Sequence, residues 1–218
     1  MTTRKIIGTN QQFTIGKIVC LARNYAEHAK ELGNETPAAP VLFMKPASSV
    51  IGDGDTVHIP AYSKECHYEV ELAVLIGSTA RKVTAEAAMQ HVAGYAVAID
   101  MTLRDVQNQL KAKGLPWEIA KGFDTSCPLS DFVPAAGVSY PHKLNLRLAV
   151  NGEARQNGCT SDMINRIPEI IAHISAIFTL DPGDVILTGT PAGVGQVSTG
   201  DVMTAEIVTV GRLTISVA

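Results

Sequence analysis

The sequence predicts an α+β domain that is predominantly β, built on mixed or antiparallel sheet. Many short apolar runs are bounded by Gly, Pro, Asn or Asp, which is typical of strands, whereas only two or three segments show helical spacing. Asn151-Gly152 stands between two alternating segments and predicts a β-hairpin. The 218 residues contain no internal repeat and no linker, so we expect a single domain over residues 1–218.

The first half of the chain is predicted to alternate strands with short helices. Residues 17–22 form an apolar run, and Asn24 is placed to cap a helix over 25–32 that Gly33 ends. A polar, Pro-containing loop follows over 34–40. Further strands are predicted over 41–44, 57–59, 67–76 and 92–100, and further helices over 84–91 and 102–113.

The second half is predicted to be a hairpin, one long helix and a group of closing strands. Alternation over 144–150 leads into the Asn151-Gly152 turn. Apolar residues recur at helical spacing over 162–178, where Pro168 either starts or kinks the helix. Closing strands are predicted over 184–187, 202–208 and 213–217.

Composition favours small-molecule chemistry in the cytoplasm. A net charge of -3 provides no field suited to nucleic acid or to an acidic membrane. The 4 cysteines lack paired metal-binding spacing and are expected to be reduced thiols. No secretory segment opens the chain, and the apolar runs fall short of the ~20 residues that a membrane span requires.

Two glutamates on one predicted strand indicate a cation site. Glu69 and Glu71 are two residues apart, so their side chains share a face with Cα atoms roughly 7 Å apart. No Lys or Arg occurs between Lys64 and Arg81 to neutralise them. Asp100 ends the next apolar run and can supply a third oxygen. Three carboxylates without Cys ligands favour a hard cation, Mg²⁺ or Mn²⁺ before Zn²⁺.

Two alternatives to this hard-cation site stay open. A Glu-x-Glu pair can lie on a solvated outer face, although the apolar residues on both alternation phases of 70–76 favour a strand covered on both sides. His67 shares the predicted face of Glu69 and Glu71, so a transition-metal site that includes this histidine ranks second.

His28 and Glu31 are candidates for proton transfer. They lie three apart on the first predicted helix and therefore share one face. A carboxylate that orients an imidazole forms a dyad able to activate water. The alternative is an exposed surface pair without catalytic meaning.

Arg104 and Gln107 have the same spacing on the helix that follows Asp100. Near a bound cation, Arg104 can hold a substrate carboxylate and Gln107 can orient a carbonyl or water. The alternative is a solvated helix face on which Arg104 pairs with Asp105 or Glu86.

A lysine and a glycine-rich loop complete the candidate residues. Near an anionic intermediate, Lys121 can stabilise a developing enolate or alkoxide, and the alternative is an ordinary surface lysine. The loop from Gly189 to Gly195 lacks the Gly-Lys-Ser/Thr ending of a phosphate loop, but the backbone N–H groups from Gly189 onward and the Thr190 hydroxyl can bind a small carboxylate. A plain turn between strands is the alternative. Serine-hydrolase and dinucleotide-binding motifs are absent.

Taken together, these segments resemble the fumarylacetoacetate hydrolase family, most closely its short acylpyruvase-like members. The matching segments run in order along nearly the whole chain. They are Arg23-Asn-Tyr-Ala-Glu-His28, Phe43-Met-Lys-Pro46, His67-Tyr-Glu-Val-Glu71, Asp100-Met-Thr-Leu-Arg-Asp-Val-Gln107, Gly114-Leu-Pro-Trp-Glu-Ile-Ala-Lys121 and Leu187-Thr-Gly-Thr-Pro-Ala-Gly-Val-Gly195.

The resemblance implies a mixed β-sandwich roll with a few flanking helices, a homodimer, and a role for each candidate residue. Tyr68 departs from the family pattern, where a second His is common, but by alternation it faces away from Glu69. The implied roles are metal binding for Glu69, Glu71 and Asp100, catalysis for His28, Glu31 and Lys121, and substrate contact for Arg104, Gln107, Gly189 and Thr190.

The function expected from this resemblance is Mg²⁺- or Mn²⁺-dependent hydrolysis of a carbon–carbon bond in a small 2,4-diketo acid. An acylpyruvate would yield pyruvate and a carboxylate, with His28 and Glu31 activating the water and residues 34–40 closing as a lid. The alternative is oxaloacetate decarboxylation or keto–enol tautomerisation at the same site. The third hypothesis is a metal-binding protein without catalytic activity.

Overall fold

Strands make up most of the regular structure in the computed structural model, which describes residues 2–33, 35 and 37–218. The strands of the first half are β1 Thr3–Lys5, β2 Gln12–Thr14, β3 Ile18–Ala22, β4 Val41–Lys45, β5 Val50–Ile51, β6 Thr56–Val57, β7 Cys66–Tyr68, β8 Val70–Ile76, β9 Val92–Ile99 and β10 Thr102–Leu103. The strands of the second half are β11 Cys127–Pro128, β12 Val133–Pro134, β13 Asn145–Val150, β14 Glu153–Cys159, β15 Val185–Leu187, β16 Gly195–Val197, β17 Val202–Ile207 and β18 Gly211–Val217. The α-helices are α1 Ala26–Glu31, α2 Ala85–Ala88, α3 Arg104–Ala112, α4 Glu118–Lys121 and α5 Ile167–Ile177.

A six-stranded mixed sheet is the central layer, in the order β12-β9-β8-β15-β3-β4. β15 runs parallel to β3, and the other neighbours are antiparallel. Every residue of β8 is buried. Leu72 and Val74 pack into one hydrophobic cluster, while Ala73 and Leu75 pack into another on the opposite face. The prediction of a strand covered on both sides is therefore confirmed.

A five-stranded sheet, in the order β14-β13-β17-β18-β6, covers one face of this layer. Burial alternates along β13 and β17, so one face points into the core and the other into solvent. The inward residues join the main hydrophobic cluster, as Leu146, Leu148 and Ile207 do. This sheet-on-sheet arrangement confirms the predicted, predominantly β, α+β roll.

Several predicted elements occur with shifted ends. Asn151 and Gly152 have φ of 52° and 82°, the left-handed conformations of a two-residue hairpin turn, and they join β13 to β14 as predicted. The long helix begins at Ile167 rather than 162, because residues 160–162 form a separate 3₁₀ turn and Pro168 occupies the first turn of α5.

Two local predictions are wrong. Asn24 does not cap α1, since its amide N–H groups donate instead to the carbonyls of Asn165 at 3.0 Å and Thr188 at 2.8 Å, and Tyr25 is the capping residue. The helix predicted over 102–113 begins only at Arg104. Residues 102–103 form β10, which pairs with β7.

The strand predicted over 67–76 is also divided, into β7 and β8, with Glu69 between them. β7 turns away from the central sheet and lies between β10 and β16 in a small three-stranded sheet. Because of this division, β7, β10 and β16, which are far apart in the sequence, pair with one another next to Glu69.

The cysteines and the helices bear on two predictions made from composition. All four cysteines are free thiols, as expected. None of the helices in the described ranges is long and apolar enough to cross a membrane. Asn34 and Thr36, two members of the predicted lid, lie outside the described residues. The cytoplasmic location and the homodimer stay predictions.

Candidate active site

Three carboxylates meet where β7 and β9 end and β8 begins. Glu69 lies between β7 and β8, Glu71 lies near the start of β8, and Asp100 directly follows β9. The register pairs Val70 with Ile99, and the Asp100 N–H donates to the Glu69 carbonyl at 2.8 Å. One oxygen from each carboxylate lies within 4.8 Å of the others, and all three residues are buried. The predicted convergence of these side chains is therefore confirmed.

Three cations from other parts of the chain surround this acidic cluster. The Lys121 ammonium donates to Glu69 at 2.9 Å and to Asp100 at 2.6 Å. Arg104 donates to the other oxygen of Glu69. Lys45 Nζ lies 2.8 Å from Asp100 Oδ1. Three formal positive charges from distant parts of the chain therefore face three carboxylates, although no Lys or Arg occurs between Lys64 and Arg81.

Two carboxylates nevertheless keep capacity to bind a cation. Lys45 Nζ donates to the carbonyls of Met101 at 3.1 Å, Ser126 at 3.0 Å and Lys121, and it lies 3.2 Å from the Ser126 hydroxyl. Buried Asp100 Oδ1 therefore has the Lys45 ammonium beside it as an ion-pair partner but accepts no well-directed hydrogen bond from a described residue. Glu71 forms no ion pair within the described chain and accepts one hydrogen bond, from the Gly189 N–H at 2.6 Å. Such unsatisfied carboxylate oxygens fit a divalent hard cation.

The electrostatic environment shifts the pKa values of the two glutamates in opposite directions. Burial opposes ionisation of Glu69, but Lys121 and Arg104 outweigh it and hold the pKa of Glu69 well below its usual value. Burial raises the pKa of Glu71 well above its usual value, and the charges of Asp100 and Glu69 raise it further. Glu71 therefore binds a proton more readily than an ordinary glutamate, and a divalent cation at this carboxylate would compete with that proton.

The predicted dyad forms beside this cluster. His28 Nδ1 lies 3.3 Å from Glu31 Oε2, and His28 is buried whereas the Glu31 side chain is 32 % exposed. The other Glu31 oxygen accepts the Gly193 N–H at 3.0 Å. Glu31 thus connects α1 to the glycine-rich loop, and Nε2 is the His28 nitrogen left for the cleft.

Arg104 and Gln107 are both buried on the first turns of α3. Arg104 donates to Gln107 Oε1 at 2.7 Å, so the Gln107 amide N–H₂ is left to donate. The alternative partners of Arg104, Asp105 and Glu86, are not used. Asp105 instead accepts from the Ser63 hydroxyl at 2.7 Å.

The start of the glycine-rich loop supports Glu71. Gly189 has φ of +94°, and a Cβ there would lie 2.8 Å from the Asn24 Cβ, so only glycine fits while its N–H points at Glu71. Thr190 Oγ1 donates to the Val70 carbonyl at 2.8 Å and lines the cleft. Contact of Gly189 and Thr190 with a substrate stays a prediction.

A cleft that is partly open to solvent lies over these groups, and both charged and apolar side chains line it. Its lining residues are Leu21, Ala22, Arg23, His28, Leu32, Phe43, Glu69, Glu71, Arg104, Gln107, Lys111, Trp117, Lys121 and Thr190.

Comparison with known proteins assigns the family. The model for the fumarylacetoacetate (FAA) hydrolase C-terminal domain matches residues 17–218. The chain belongs to the fumarylacetoacetate hydrolase family. This assignment confirms the resemblance that the six sequence segments suggested.

Named relatives match most of this chain, and a solved structure matches all of it. The chain is 53 % identical over 190 residues to the protein named oxaloacetate tautomerase FAHD1, mitochondrial, from Bos taurus, covering 87 % of this chain and 86 % of that one. It is 50 % identical over 198 residues to oxaloacetate tautomerase YcgM from Escherichia coli K12, covering 90 % of each. The structure of fumarylpyruvate hydrolase from Pseudomonas aeruginosa in complex with Mn²⁺ and pyruvate matches with a TM-score of 0.95 and 38 % identity, covering 100 % of this chain and 95 % of that one.

His67 does not join the acidic cluster of this family member. Its Nε2 lies 2.9 Å from Glu65, and its Nδ1 accepts from Arg104 at 3.5 Å. Burial and the charge of Arg104 lower the pKa of His67, so the ring is neutral and serves as a partner of Arg104. The structure therefore does not support the alternative prediction of a transition-metal site that includes His67.

Sequence reasoning missed three buried polar residues of the site. Lys45 ends an apolar strand, Thr102 accepts from Lys121 at 2.6 Å, and Gln156 donates to Thr190 at 2.8 Å. The one usable signal was the lysine at the end of the apolar run 41–44, since a buried lysine requires an acidic partner.

Glu71→Gln tests the protonation of the acidic cluster. A carboxyl whose pKa is raised by folding stabilises the fold below its unfolded pKa of about 4.3 and loses that contribution as pH rises toward its folded pKa. In metal-free protein, the stability of Glu71→Gln relative to wild type should therefore increase with pH. Thermal denaturation from pH 5 to pH 8 measures this.

The same Glu71→Gln variant should lose the rise in melting temperature that Mn²⁺ gives the wild type. The exposed Glu153→Gln variant is the control and should behave as wild type in both experiments. A pH-independent stability difference for Glu71→Gln would contradict the assignment.

Lys45→Met tests the buried cation that sequence reasoning missed. The substitution leaves three carbonyls and Asp100 Oδ1 without their partner, so it should cost about 3–5 kcal/mol of unfolding free energy. Urea denaturation of metal-free protein measures this cost. Lys30→Met, at an exposed position of α1, should stay within about 0.5 kcal/mol of wild type. Equal stabilities of the two variants would refute the role of Lys45.

Proposed function

We propose that this protein is a divalent-cation-dependent tautomerase that interconverts the keto and enol forms of oxaloacetate. The observation that carries the proposal is the buried cluster of Glu69, Glu71 and Asp100, whose oxygens lie within 4.8 Å of one another at the cleft. The substrate is favoured by relatives that are at least 50 % identical to this chain and named oxaloacetate tautomerases, among them those from Bos taurus and Escherichia coli K12.

These three carboxylates would hold Mg²⁺ or Mn²⁺. The bound cation would supply Lewis-acid stabilisation of negative charge on the 2-oxo oxygen of the substrate. Oxygen ligands suit both ions, and the Pseudomonas aeruginosa relative is described with Mn²⁺ and pyruvate.

The charge balance of the cluster favours a substrate with two negative charges. Lys45, Arg104 and Lys121 already offset the three carboxylates. A divalent cation leaves an excess of two positive charges in a buried region, which a dianion offsets and a monoanion does not. Oxaloacetate is a dianion at neutral pH, whereas acetylpyruvate is a monoanion.

His28 is the group that moves the proton at C3. Burial opposes the charge of Lys121, but Asp100 and Glu69 outweigh it and raise the pKa of Lys121, so Lys121 stays an ammonium donor. Its three hydrogen bonds, to Glu69, Asp100 and Thr102, leave it no free proton to exchange. His28 lines the cleft and is oriented by Glu31 through Nδ1, which leaves Nε2 to give or take the C3 proton.

Arg104 and Gln107 would orient the substrate. Because Gln107 Oε1 accepts from Arg104, the amide N–H₂ group can donate to a substrate oxygen at the inner end of the cleft. No water is consumed, since keto–enol interconversion moves one proton between C3 and O2 and breaks no carbon–carbon bond. As the enol forms, His28 Nε2 takes the proton from C3 and returns it to O2, and the reverse transfer gives the keto form.

Acylpyruvate hydrolysis is the second candidate function. The partly exposed Glu31 beside buried His28 provides a place where water can be activated. The Pseudomonas aeruginosa relative, at 38 % identity, is named a fumarylpyruvate hydrolase. Both functions use the same acidic cluster and differ in whether water attacks the substrate.

Parallel assays separate the two functions. With Mg²⁺, wild type should accelerate decay of the enol absorbance of oxaloacetate, and EDTA should lower this rate at least about 100-fold. Pyruvate release, coupled to lactate dehydrogenase, should be slow with both oxaloacetate and acetylpyruvate. A kcat/KM for acetylpyruvate cleavage above that for tautomerisation would establish the second candidate instead, and pyruvate from oxaloacetate would indicate decarboxylation.

Substitutions in the dyad test the route of the proton. His28→Asn should lower kcat for tautomerisation about 100-fold or more, because the group that serves C3 is lost. Glu31→Gln should abolish any acylpyruvate cleavage and leave tautomerisation within about tenfold, because proton transfer at C3 needs the ring but water activation needs the carboxylate. Glu27→Gln, exposed on the same helix, is the control. Full tautomerase activity in His28→Asn would exclude His28 from the reaction.

A further inference from the structure

Two further cationic side chains line the cleft, in addition to the acidic cluster and the three cations that contact it. Arg23 follows the end of β3, and Lys111 lies near the end of α3. Both are half-buried, and both line the same cleft as Glu69 and Glu71. Neither is used by the proton transfer described above.

Arg23 is held in an unusual backbone conformation. Its φ is 59°, in the left-handed region that non-glycine residues rarely adopt. Among the described residues, none of the carboxylates forms an ion pair with it. The chain therefore places a guanidinium on the cleft wall without an acidic partner from the part that the structure describes.

Lys111 extends a line of polar residues along α3. Arg104, Gln107 and Lys111 recur at spacings of three and four, so they share one helix face. Seven residues of helix span about 10 Å, which puts Arg104 at the inner end of the cleft and Lys111 at the outer end. Because helical side chains tilt toward the N-terminus, the Lys111 side chain leads back toward Gln107.

The surroundings of the two cations strengthen their electrostatic attraction for an anion. Leu21, Leu32 and Trp117 line the same cleft, and apolar walls reduce screening by water. Burial lowers the pKa of Lys111, and the positive charges of Arg23 and Arg104 lower it further, which shows that these cations repel one another. An anion bound near Arg23 and Lys111 would relieve this repulsion.

We propose that Arg23 and Lys111 bind the far carboxylate of a dicarboxylic 2-oxo acid and so select dicarboxylates over 2-oxo acids with a neutral far end. The inference rests on the proposed function, because it assumes that the 2-oxo acid end lies at Glu69, Glu71 and Asp100. The far carboxylate of oxaloacetate is one methylene from the 2-oxo carbon and can accept two hydrogen bonds from the Arg23 fork.

Calorimetric titration of Mn²⁺-loaded protein with two matched, unreactive ligands tests this selection. N-oxalylglycine carries an oxalyl group and a far carboxylate, and its glycine methyl ester keeps the oxalyl group but has a neutral far end. Wild type should bind the diacid at least tenfold more tightly. Arg23→Gln and Lys111→Gln should each weaken diacid binding about tenfold or more and change ester binding less than about twofold.

Lys113→Gln, exposed two residues further along the chain, is the matched control and should keep the wild-type preference. Both test positions are partly exposed, and melting temperatures verify folding. Equal weakening of diacid and ester, or an unchanged preference in both variants, would overturn the proposal.

Kinetics separate this proposal from the proposed function. In both variants KM for oxaloacetate should rise about tenfold while kcat stays within about threefold, since neither side chain touches C3. If wild type failed to turn over oxaloacetate yet preferred the diacid through Arg23 and Lys111, the tautomerase assignment would fail and the far-carboxylate site would stand. If turnover occurred and the preference did not depend on these residues, only the far-carboxylate site would fail.

Discussion

Burial of Glu69, Glu71 and Asp100, with oxygens within 4.8 Å of one another, imposes a cost of several kcal/mol for each charge left uncompensated. The fold compensates the three negative charges to different extents. Lys121 and Arg104 neutralise Glu69, and Lys45 lies against Asp100, whereas Glu71 has no cation among the described residues and its pKa is raised. The uncompensated acceptor capacity is concentrated at Glu71 and at Asp100 Oδ1, which is where a divalent ion would bind.

The strands and helices around the site are arranged so that the three carboxylates and their cationic partners meet. β8 and β9 deliver Glu71 and Asp100 because both strands are buried in the central sheet, and the break between β7 and β8 frees Glu69 to turn toward them. β4, α3 and α4 then bring in the cations, while the glycine-rich loop gives Glu71 a backbone N–H. The inner end of the cleft is thus fixed by paired buried charges. Its outer end, with Arg23 and Lys111, is more exposed and can set which substrates fit.

Much of this arrangement was predictable from local sequence pattern. The apolar runs of β8 and β9, the Asn151-Gly152 hairpin and the periodicity of α5 carry their own signals, and the residues proposed as ligands and as the dyad do come together. The three-residue strands β7 and β16 were not predicted as such, since their pairing depends on distant segments. Lys45, Thr102 and Gln156 were missed for a related reason. Their partners lie far away in sequence, so only the folded chain shows that they support the site.

A crystal structure of the protein grown with Mn²⁺ and pyruvate, with anomalous data recorded at the manganese edge, tests whether the three carboxylates bind a divalent ion. We expect one anomalous peak bonded to one carboxylate oxygen each of Glu69, Glu71 and Asp100, with pyruvate coordinated to the same ion. A peak elsewhere, or a filled cleft in which Glu71 still makes no contact with the ion, would show that the cluster is not the metal site.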